Sequence, residues 1–74
     1  MPRISAFYGI VIALFYGDHA PPHFHASYGE FDGCVNIQTL AFMEGSNLPR
    51  RAERLVIEWA ALHQAELMRD WQKA

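Results

Sequence analysis

Seventy-four residues, 51% of them apolar and 14% aromatic, make a single domain over residues 1–74 and exclude a disordered chain. A formal charge of -2 gives no general pull towards nucleic acid, and one cysteine excludes an internal disulfide, which points to a reducing, cytoplasmic setting. The longest apolar run, residues 10–16, is far too short to span a membrane, and the N-terminus lacks a charged-then-apolar signal pattern.

In chain order, residues 3–8 predict a short strand, with Gly9 as a bend or bulge before the next. Residues 10–16, "IVIALFY", are β-branched and aromatic on both alternating sets, the pattern of a central strand buried on both faces. Residues 17–22 are a loop, since Pro21 and Pro22 donate nothing to a ladder. Next, "HFHASYGEFDGCVNIQ" carries two alternating runs around Gly29-Glu30, which suits a type II′ two-residue hairpin. That turn sets Tyr28 opposite Phe31, Ala26 opposite Gly33 and Phe24 opposite Val35 on an apolar face. Ser27 then pairs with Asp32, His25 with Cys34 and His23 with Asn36 on a polar face.

Residues 39–49 read as a connection with a short strand over 40–43, after which Pro49 opens a helix at its first position. Ala52, Leu55, Val56, Trp59, His63, Leu67 and Trp71 recur at intervals of 3 and 4 as one apolar stripe. An unbroken helix over residues 49–73 would extend about 37 Å, whereas a compact domain of this size is roughly 29 Å across. The helix is therefore expected to bend near residues 62–65, or to overhang and offer Trp71 to a partner. The fold class is α+β: three or four antiparallel strands followed by one long or broken C-terminal helix.

The order "ISAFYGIVIALFYGDHAPPHFHASYGE", then "EGSNLP", then "EWAALHQAEL" resembles a family of small bacterial proteins catalogued as domain of unknown function 4160. Asp18-His19, Pro21-Pro22-His23-Phe24-His25, Glu44-Gly45, Leu48-Pro49 and Trp59 with His63 carry the resemblance. The chain departs from the family pattern at Ala20, where Asn is common, and at Cys34, where a small apolar residue is usual. The resemblance implies a gene neighbour from a second family, domain of unknown function 2442, in an arrangement that looks like a toxin–antitoxin module. It implies no activity, substrate or cofactor.

"DHAPPHFH" raises the chemical question, since three of the four histidines fall in eight residues. H-x-H on a strand points both imidazoles the same way, a usual source of two metal ligands. His23 and His25 with His19, or with Asp18 or Cys34, are the candidate ligands of a divalent metal, the one cofactor the sequence suggests. In a metal-free reading, His19, His23 and His25 are candidate acid–base residues of a ribonuclease-like toxin. Arg50 and Arg51, set against the helix dipole, would then bind the anion. His63 is expected to be structural. Pro21 and Pro22 stiffen the loop under every reading.

A single helix covers one face of a sheet, so the second apolar set of residues 10–16 calls for another covering element. Together with the resemblance, this makes the leading expectation a protein-interaction component of a toxin–antitoxin-like pair. Its contact would be a cognate small protein or a second copy, with no membrane and no indicated nucleic acid.

Overall fold

The computed structural model of the chain describes residues 3–14 and 21–73, with side chains from residue 5 onward. Four strands, β1 (Arg3–Phe7), β2 (Ile10–Ala13), β3 (His23–Tyr28) and β4 (Phe31–Asn36), form one antiparallel sheet in the order β1-β2-β3-β4, and α1 (Arg50–Lys73) follows. The strand ending at Ala13 is shorter than the 10–16 run expected; residues 15–20, including Asp18 and His19, lie outside the described residues.

Both hairpins close through two-residue turns, which bind the register to the sequence. At the second turn Gly29 has φ 59° while Glu30 stays out of the left-handed region, as a type II′ turn requires. The β3–β4 pairs follow as expected, from Tyr28 with Phe31 through His25 with Cys34 to His23 with Asn36. At the first turn Phe7 pairs with Ile10, so Tyr8 (φ 51°) and Gly9 (φ 81°) are the two turn residues. Positive φ at both positions is the type I′ signature. Gly9 is thus a turn residue rather than a bulge, and the irregularity in β1 falls between Arg3 and Ser5.

Parity divides the sheet. Phe7, Ile10, Ile12, Phe24, Ala26 and Val35 share the face that α1 covers, and Phe24, at 0% exposed, packs edge-on to Trp59 with ring centroids 5.8 Å apart. Trp59 also stacks on Phe7 at 5.7 Å. Ala52, Val56, Ala60 and Leu67 supply the buried helix stripe. The opposite face carries Ala6, Val11, Ala13, Ser27, His25 and Cys34, mostly small side chains, with Ala13 itself buried.

Residues 40–47 seal the outer edge of β4. Cys34 donates its N–H to Ser46 Oγ (3.0 Å) and accepts at its carbonyl from Met43 N (2.8 Å), while Asp32 and Asn36 make equivalent outward bonds to Asn47, Leu40 and Ala41. Only the bridge between Val35 and Phe42 remains of the short strand expected over 40–43, because Leu40 turns through φ 59°. At the sheet's other margin, no strand among the described residues pairs with β1 except β2.

The helix starts one place later than expected, with the Pro49 carbonyl accepting the first helical bond from Glu53 N (2.9 Å). It breaks at His63 (φ -119°, ψ 15°), inside residues 62–65 where a bend was one of the two expected outcomes, and the domain's longest dimension is 29 Å. Gln64, just past the break, donates from Nε2 to the carbonyls of Ile37 (2.7 Å) and Gln38 (3.1 Å), which fixes the second half of α1 to the end of β4. Trp71 therefore does not overhang; it packs on His23 with ring centroids 5.2 Å apart. No described helix is long and apolar enough to cross a membrane.

Candidate functional site

The polar side of the β3–β4 hairpin gathers titratable side chains through backbone geometry alone. Because Cys34 sends both its N–H and its carbonyl outward to residues 43 and 46, its pairing with His25 is of the non-hydrogen-bonded kind. Such pairs bring side chains closer than the alternate pairs do, with Cα atoms about 4.5 Å apart. His25 Nδ1 accordingly lies 3.4 Å from Cys34 Sγ. His23, two residues earlier on the same face, sits with its ring centroid 5.2 Å from that of His25.

The double proline orients the first imidazole. The Pro22 carbonyl accepts from Ile37 N (3.0 Å), just past β4, and the Pro21 carbonyl accepts from His23 Nδ1 at 2.7 Å. Donation at Nδ1 fixes the orientation of the ring. One donor atom each from His23, His25 and Cys34 then falls within a cluster no more than 4.8 Å wide. His23 is only 7% exposed, sheltered by Trp71, while His25 and Cys34 are half-buried. A cleft of about 180 Å³ opens beside the thiol, lined by His25, Cys34, Ser46 and the exposed carboxylates of Asp32 and Glu44.

The two imidazoles thus lie outside the core around Phe24, as parity requires, although His23 is covered at the sheet's end. Cys34 joins them directly, and His19 falls outside the described residues. Arg50 and Arg51 are both exposed. Arg51 lines a second groove, with Tyr28, at the far end of β3 from His23. Five residue steps along a strand separate those ends by about 17 Å. Arg51, one of the two candidate anion-binding residues, therefore stands apart from His23. His63 contacts Trp59 at 4.8 Å between ring centroids and Glu66 Oε1 at 3.0 Å through Nδ1, far down the helix from Arg51.

That second groove, about 680 Å³, lies between the two hairpin turns and the start of α1 and is lined by Tyr8, Ile10, Tyr28, Pro49, Arg51 and Leu55. No spacing in the sequence marks it, because the two turns meet only in three dimensions. The available signal was Tyr8-Gly9 itself, a two-residue turn that places an aromatic ring at an exposed tip. Tyr8 is 80% exposed despite its left-handed backbone.

The model of a family described as "Domain of unknown function (DUF4160)" matches residues 9–72. No curated protein and no solved structure matches the chain.

Proposed function

The chain belongs to the DUF4160 family, and we propose that it acts by binding another protein, as one component of a toxin–antitoxin-like pair in a reducing cytoplasm. The observation that carries this reading is the Tyr8–Tyr28–Arg51 groove. Tyrosine and arginine are the residue types that concentrate binding energy at protein interfaces. A non-glycine residue at positive φ costs of order 1 kcal/mol or more, and such strain gathers at functional positions. Tyr8, one of two non-glycine residues at positive φ among the described residues, sits 80% exposed at the groove's rim with its ring edge-on to Phe7.

The occupant that suits this surface is a segment of the cognate small protein with an apolar or aromatic side chain for the Tyr8–Leu55 cleft and a carboxylate for Arg51. Arg51 lies in the first turn of α1, where the helix dipole adds to its positive field. The test is co-expression with the product of the neighbouring reading frame, followed by size-exclusion chromatography and calorimetry. A stable complex is expected. Tyr8→Asn, which keeps a residue tolerant of positive φ, should weaken it at least tenfold, and Arg51→Glu should do the same. Failure to associate, or wild-type affinity in both variants, would refute the reading.

A further inference from the structure

The geometry points to a divalent transition-metal site of the zinc class at His23, His25 and Cys34, independent of the protein-binding groove. Three donor atoms of the types zinc prefers already converge within 4.8 Å. In a tetrahedral site with metal–nitrogen distances of about 2.0–2.1 Å and metal–sulfur of about 2.3 Å, a nitrogen and a sulfur ligand stand roughly 3.5 Å apart. His25 Nδ1 and Cys34 Sγ are 3.4 Å apart, so one edge of the tetrahedron is in place before any metal arrives. The widest gap in the trio, at most 4.8 Å, closes by about 1.3 Å of side-chain movement on that scale.

The surroundings add the features that separate a ligand set from a chance cluster. A metal-bound imidazole typically donates its second nitrogen to a carbonyl or carboxylate, which fixes the ring and the tautomer. His23 already does this through Nδ1 to the Pro21 carbonyl (2.7 Å), on a segment whose two prolines hold the carbonyl rigid. Trp71 covers the His23 ring and lowers the local dielectric, while the Asp32–Glu44 cleft gives a cation an anionic approach to the thiol. Soft sulfur with two imidazoles favours zinc, cobalt(II) or copper over magnesium or calcium. The fourth position falls to a ligand from outside the trio.

Binding replaces a proton: the Cys34 S–H bond breaks, the thiolate's electron pair forms the metal–sulfur bond, and the proton passes to solvent. No oxidation occurs. The metal-free alternative is a thiol–imidazole hydrogen bond along the same 3.4 Å contact.

The test uses full-length protein without a histidine tag, stripped with chelator, kept reduced, and titrated with cobalt(II). A thiolate-to-cobalt charge-transfer band saturating at one equivalent and displaced by zinc is expected. Cys34→Ser should abolish the band, and His25→Gln should weaken zinc binding at least tenfold. His63→Gln, outside the trio, should leave the titration unchanged. Calorimetry in buffers of different ionisation enthalpy should register about one proton released per metal. Circular dichroism establishes that each variant is folded, and the wild-type titration decides the matter without any variant. No charge-transfer band at stoichiometric cobalt, a band that persists in Cys34→Ser, or zinc affinity indifferent to His25→Gln would each overturn the site.

Discussion

Replacing Gly33 with alanine is the most exacting single test of how β4 is sealed. A Cβ at this position would lie 2.8 Å from both Cβ and Oγ of Ser46 and 3.4 Å from the Phe42 ring. Ordinary contact is closer to 3.5–4 Å, so Ser46 must retreat by about 0.7 Å or more. Ser46 cannot do so freely, because its Oγ accepts from Cys34 N at 3.0 Å and its neighbour Asn47 is bonded to Asp32 through N and Oδ1. Overpacking of this kind costs about 1–3 kcal/mol, and one strained or lost hydrogen bond adds about 1 kcal/mol. Against this, Gly33 has no positive φ, so alanine gains about 0.4–1 kcal/mol by restricting the unfolded chain. The clash wins: Gly33→Ala should destabilise by about 1–3 kcal/mol, which for a chain of this length lowers Tm by roughly 5–20 °C. Thermal and urea unfolding followed by circular dichroism measure it. In a Ser46→Gly background, which removes both opposing atoms, the same change should become neutral or stabilising. An unchanged or raised Tm for Gly33→Ala in the wild-type background would mean that residues 41–47 ride loosely on the sheet.

Phe24→Ala, which removes a fully buried ring packed on Trp59, should cost about 3–5 kcal/mol and leave the domain largely unfolded at 37 °C, as read by urea titration. Gln64→Ala deletes the two bonds to the Ile37 and Gln38 carbonyls and should cost about 1–2 kcal/mol in the same assay, with Trp71 fluorescence reporting a looser helix end. Glu66→Gln weakens only an exposed contact with His63, so its effect on the unfolding midpoint should stay within about 0.5 kcal/mol.

The hairpin was fully legible in the sequence, because one glycine-led turn propagates its register through six residues on each side, as far as His23 and Asn36. Length narrowed the helix to a bend near residues 62–65 or an overhang, and the break at His63 realises the first, since a straight helix outruns the domain that must hold it. Periodicity does not report what happens after a break, however. The second half of α1 turned Trp71 back onto His23, where the sequence had left a choice between bend and overhang. The pairing of Tyr8 with Gly9 hid the first turn, because a tyrosine at positive φ runs against propensity and reads as strand. Of the site, the alignment of His23, His25 and Cys34 followed from parity, while the Pro21 carbonyl and the Trp71 cover depend on tertiary contacts that no local pattern encodes.

The two margins of the sheet differ in one respect that governs assembly. A flat sheet with both borders bare can recruit copies of itself without end, which is how fibres grow. In this domain the border beyond β4 is occupied by its own residues 40–47, and only the β1 border remains among the described strands. Two copies that joined through β1 would present nothing but capped borders to a third, so growth by strand addition terminates at a symmetric pair.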